Sequence, residues 1–151
     1  MNISQWHIGP NITGDSEEDT ALLRAMYERA VQYITSFSWS PPINTVRFAF
    51  GVGGVVALFL VEFNQPISGN DDKLWVVVGD VPSAYFVVDD AYDAASALRI
   101  YCELMSAWAD AVSRGHSTGD VFPVDAAPTK ANADQLRVRI AFIEDDIIPG
   151  L

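Results

Sequence analysis

An α+β fold with one four-stranded antiparallel sheet and three helices, in the order α-β-β-β-β-α-α, is what the sequence predicts. Three observations carry it. Apolar residues recur at three- and four-residue spacing in three separate stretches, as they do on the buried side of a helix. Between the first and second of these lie four runs rich in β-branched and aromatic residues. The links between those runs are shorter than the crossover of about a dozen residues that a parallel neighbour needs, so the strands form a meander.

Residues 1–14 hold Gly9, Pro10 and Gly14 without periodicity and read as an irregular lead-in anchored by Trp6 and Ile8. Asp15 or Ser16 then caps a helix over residues 16–37, with Glu17, Glu18 and Asp19 at its positive dipole end. Its apolar stripe is Leu22, Leu23, Met26, Tyr27, Ala30, Tyr33, Ile34 and Phe37, and Pro41 with Pro42 prevents its continuation. Residues 44–50 alternate, which predicts Val46, Phe48 and Phe50 on one face of a strand. Gly51, Gly53 and Gly54 allow a tight reversal into a second strand over residues 55–63. Strands at 74–78 and 84–88 follow, separated by Gly79, Asp80, Val81 and Pro82.

From there the period is helical again. Ala94, Ala97, Leu98, Tyr101, Cys102, Met105, Trp108, Ala109 and Val112 form the stripe of a helix over 91–114, with Asp89 and Asp90 as carboxylates at its start and Gly115 as its stop. A loop over 116–128 is pinned by Val121, Phe122 and Val124. Thr129 caps a last helix over 130–147, striped by Ala133, Leu136, Ile140, Ile143 and Ile147 and halted by Pro149 and Gly150. At 151 residues the chain is expected to be a single domain.

The composition limits function. Nine Lys and Arg stand against twenty Asp and Glu, and the net charge of −11 repels nucleic acid and anionic membrane surfaces while favouring cationic partners. A lone cysteine, Cys102, cannot form an internal disulfide, and no basic and apolar leader opens the chain, so a cytoplasmic setting is expected. No apolar run approaches the roughly 20 residues of a membrane-spanning helix.

No motif of known chemistry stands out. His7 and His116 lie in irregular segments outside any zinc-binding spacing, no serine sits in a nucleophile elbow, and Cys102 falls on an apolar stripe. Residues 51–54 lack the lysine of a phosphate-binding loop and precede a strand, so no cofactor or metal is expected. What remains is acidic and aromatic. Asp71 with Asp72 occupies a polar turn, Asp89 with Asp90 a helix start, and Glu144, Asp145 and Asp146 the unfavourable dipole end of a helix. Trp39 stands beside Ser40 and two prolines, where an aromatic can centre an interface.

Residues 74–85, Leu-Trp-Val-Val-Val-Gly-Asp-Val-Pro-Ser-Ala-Tyr, with Asp89, Asp90, the helix from Ala97 to Trp108 and the run 121–124, resemble a family of small uncharacterised bacterial proteins. That resemblance implies no activity, cofactor or site residue. In size, acidity and α+β layout the chain is also similar to bacterial immunity proteins that neutralise toxins.

The expected function is therefore a non-enzymatic protein–protein contact module whose acidic surface meets a basic partner. Its expected contact residues are Trp39, Asp71, Asp72, Asp89, Asp90, Glu144, Asp145 and Asp146. The rival expectation is a small-molecule-binding protein or carboxylate-dependent hydrolase, with Asp80 or Asp89 as polar groups and Trp75 or Tyr85 as walls. A homodimer is expected too, because residues 55–61 and 74–78 are apolar on both faces of their strands.

Overall fold

The structure, a computed structural model, describes residue 3 and residues 6–151, and of Asp90 the backbone alone. Two compact units divide the chain, Met1–Tyr92 and Asp93–Leu151.

In the first unit, α1 (Glu17–Thr35) starts where the Ser16 hydroxyl accepts from the Asp19 N–H, at 3.0 Å. β1 (Ile43–Val52), β2 (Val56–Phe63), β3 (Lys73–Gly79) and β4 (Ala84–Val87) follow, and neighbours in sequence are neighbours in the sheet, every pair antiparallel. The expected meander is what the chain forms. Ala57, Phe59, Val61, Phe63, Leu74, Val76 and Val78 turn to α1 and build one core with Leu23, Met26, Ala30 and Ile34. Leu22, expected on that stripe, is instead exposed, lying over the β1–β2 turn. Gly54 supplies the positive φ, 76°, that closes this turn.

β1 departs from simple alternation. Val46 pairs with Val61 and Phe48 with Phe59, both on the α1 side, but a bulge between Phe48 and Phe50 sets Phe50 opposite Leu58. Paired residues share a face, so Phe50 lies on the other side of the sheet from Val46 and Phe48, contrary to the alternation expected. Leu60, Trp75 and Val77 share that second face with Leu58, and all four are buried. There Trp6 lies 5.9 Å from Trp75, centroid to centroid, and the Trp75 indole N–H donates to the Ala91 carbonyl at 2.9 Å.

The lead-in is ordered by the sheet. Ile8 bridges to Arg47 on the outer edge of β1, where the Phe48 N–H donates to the His7 carbonyl at 2.9 Å. Its buried anchor is Ile12, fully shielded, with its carbonyl held by Arg24 Nε at 3.0 Å.

In the second unit, α2 (Ala94–Ser113) and α3 (Lys130–Phe142) pack on one another. α2 is capped by Asp93, which accepts from the Ser96 N–H at 2.7 Å. Asp89 and Asp90 do not cap it; they belong to a short 3-10 turn, Val88–Asp90, that follows β4. Thr129 caps α3 as expected. α3 passes into a π-helical turn, Ile143–Ile147, whose wider winding lets Ile143, Ile147 and Ile148 all be buried while Glu144, Asp145 and Asp146 stay in solvent. Arg137 bonds Asp110 across the two helices at 2.7 Å. No described helix is long and apolar enough to cross a membrane.

Candidate functional site

Two neighbourhoods of the first unit gather the residues singled out in the sequence. One is an acidic cleft. After β2 the chain turns at Ser68 and Asp71, with the Asp71 N–H donating to the Ser68 carbonyl at 2.9 Å and the Ile67 N–H to the Asp71 carbonyl at 2.7 Å. The Phe63 N–H then donates to the Asp72 carbonyl at 2.8 Å, which fixes Asp72 at the mouth of β3. β3 and β4 pair Leu74 with Val87, and beyond that last pair Asp72 precedes β3 while Asp89 sits in the 3-10 turn that follows β4. Asn70, Asp71, Asp72, Lys73, Val88 and Asp89 accordingly line one open cleft of about 250 Å³.

Carboxylates gathered on one cleft repel one another. Lys73 partly offsets this repulsion through a 3.1 Å ion pair from its Nζ to Asp72 Oδ1. Both partners are well exposed, so the pair stabilises by no more than about 1 kcal/mol. Among the described residues no group of three or more His, Cys, Asp or Glu is placed to hold a metal ion. The cleft is a polar, solvent-open surface with carboxylates in excess.

The second neighbourhood is aromatic. α1 ends in a turn in which the Ser40 N–H donates to the Phe37 carbonyl at 3.1 Å, and this folds Trp39 back onto Phe37. Their rings stack, 5.3 Å apart and 21° from parallel. Tyr85 of β4 lies 5.1 Å from each, edge-on to Phe37, and Tyr33 closes the group 5.3 Å from Phe37 and 6.3 Å from Tyr85. Burial, with Tyr85 as a second cause, pushes the Tyr33 phenol up to about 12. Trp39 remains 37% exposed.

The remaining residues fall elsewhere. Glu144, Asp145 and Asp146 project from the π turn of the second unit. The side chain of Asp90 is outside the described residues. Asp80 is exposed at the opposite end of β3 from Asp72, and Trp75 is fully buried; neither lines the cleft. Cys102 is buried in α2, its thiol pushed up to about 12 by desolvation and by the nearby Glu144 and Glu103 carboxylates. Asn70, Lys73 and Phe37 were not anticipated as site residues. For the first two, their place directly beside Asp71 and Asp72 in the sequence was the signal.

A family model described as a domain of unknown function (DUF4826) matches residues 45–145, from β1 through the π turn. The chain belongs to the DUF4826 family. No curated protein and no solved structure matches it significantly. Both the cleft and Tyr85 lie inside the part of the chain that defines DUF4826, whereas Phe37 and Trp39 precede it.

Proposed function

We propose that this DUF4826 chain is a non-enzymatic cytoplasmic module of bacterial type that docks a basic surface of another protein. The observation that carries the reading is the convergence of Asp71, Asp72 and Asp89, from two separate segments, on one open cleft. With a net charge of −11 behind it, such a surface raises the encounter rate with cationic partners and discourages anionic ones. The single, buried cysteine agrees with a reducing compartment.

Photo-crosslinking in cells from a reactive group placed at position 72 tests this reading. The captured protein is expected to be crosslinked within a lysine- or arginine-rich segment. Its association rate with the purified chain is then expected to fall steeply with salt, and to drop about tenfold when Asp71, Asp72 and Asp89 are all changed to Asn. Crosslinks to acidic or neutral segments, or a salt-independent rate, would refute it.

Self-association belongs to the same proposal. The doubly apolar strands no longer call for it, because Leu58, Leu60, Trp75 and Val77 are buried within one chain, and its support is the exposure of Val138, 71%, and Phe142, 40%, one turn apart on α3. Light scattering at low and high salt decides it, and a monomer mass at both ends this part of the reading. The rival, a small polar ligand in the cleft, is favoured only by the side-by-side carboxylates and ammonium there. Turnover or ligand uptake lost on Asp89→Asn would shift the case to it.

A further inference from the structure

The aromatic group has a geometry that core packing alone does not require. Phe37 occupies one face of the Trp39 indole, and Tyr85 stands against both rings. Trp39 nonetheless keeps 37% of its surface exposed. Two ring contacts hold the indole in place, so little side-chain entropy is lost when a ligand settles on it. Tyr85, against which Trp39 packs, and Asp89 of the cleft are four residues apart along β4 and the turn after it, so their backbones lie within about 13 Å of one another.

We propose that the Trp39 indole seats an arginine side chain of the docked partner, and that a second basic residue about four positions away in the same extended segment reaches the cleft at Asp72 and Asp89. This rests on the docking reading above and adds the chemistry of the partner to it. A guanidinium is planar and weakly hydrated and stacks on an indole, whereas an ammonium stays in its water shell. Arginine is thus preferred to lysine at Trp39, while the open carboxylates accept either.

The test titrates the full chain, at low salt, with the capped peptide Gly-Arg-Ser-Gly-Ser-Arg-Gly and with its counterpart carrying lysine at both basic positions. The Trp39 indole N–H is followed by NMR. The arginine peptide is expected to bind about three- to fivefold more tightly and to shift the Trp39 signal. Trp39→Leu is expected to abolish that preference. Asp72→Asn combined with Asp89→Asn is expected to weaken both peptides alike. Should Trp39→Leu lose its fold by circular dichroism, Trp39→Phe keeps a ring on Phe37 and is expected to retain part of the preference. Equal affinities with a silent Trp39 signal overturn the arginine seat and leave acidic docking standing. Binding of neither peptide overturns both.

Discussion

Gly79→Ala offers the sharpest check on the sheet that carries the cleft. Gly79 has φ +145°, a region open essentially to glycine alone, where another residue is strained by about 1–3 kcal/mol. An added Cβ would also overlap the Val55 carbonyl oxygen and lie 2.8 Å from Val56 Cα. Neither atom can withdraw cheaply. The Asp80 N–H holds the Val55 carbonyl at 2.8 Å, Gly79 pairs with Val56 in the ladder, and Arg29 Nη1 holds the Gly79 carbonyl at 3.1 Å. Strain and overlap together put the loss at about 3 kcal/mol or more, or a melting temperature lower by roughly 6–12 °C for a chain of this size. Gly69→Ala is the matched control. Its φ is +56° and nothing lies within 4 Å of the added carbon, so only conformational strain of about 1 kcal/mol applies. Urea unfolding followed by tryptophan fluorescence measures both variants. Equal losses, or less than about 1 kcal/mol at Gly79, would refute the close approach of β3 to the β1–β2 turn.

Stability should also decline in alkali. Cys102 and Tyr33 have ordinary values of 9.0 and 10.0 and stand near 12 in the fold, so their neutral forms stabilise it fully below pH 9, and this is lost as pH rises from 9 toward 12. Urea midpoints across that window measure it, and Cys102→Ala should remove the component that begins near pH 9. In the native state at pH 8, Cys102 should react with an aromatic disulfide reagent only at the rate of unfolding; labelling within seconds would contradict its burial. Asp93→Ala should lose about 1 kcal/mol by removing the α2 cap, and Asp93→Asn much less, in thermal melts at neutral pH. The Asp93 carboxyl is held below its ordinary 3.8, chiefly by the Ser96 N–H. Its contribution is therefore present above that value and lost as pH falls further.

Periodicity made the elements legible, because helix and strand stripes depend on local spacing that the sequence displays directly. Leu23, Met26, Ala30 and Ile34 are buried together as their spacing implies, and so are Ala133, Leu136 and Ile140. Where the reading failed, the deciding contact was distant. The bulge that inverts Phe50 is settled by pairing with β2, and alternation within β1 carries no trace of it. Ile12 lies in a segment with no period at all, and it is buried in the core that α1 and the sheet build, with its carbonyl held by Arg24 twelve residues later. Asp89 and Asp93 are equally good caps in isolation, and only the chain's exit from β4 chooses between them. Of the site, each acidic pair was visible singly, whereas the gathering of Asp72 and Asp89 on one cleft depends on β3 and β4 being neighbours.

The sheet's two borders bear on how the protein behaves when concentrated. An open strand border is a template on which a second sheet can grow, and proteins that live at high concentration keep such borders short or occupied. Here β1, the longest strand at ten residues, has its outer side engaged at Arg47 and Phe48 by Ile8 and His7, while β4 runs for only four. Removing the lead-in through Ile8 would strip that guard from the longer border. Fibril formation, monitored by thioflavin fluorescence at elevated temperature, should then appear in the shortened chain before it appears in the full one.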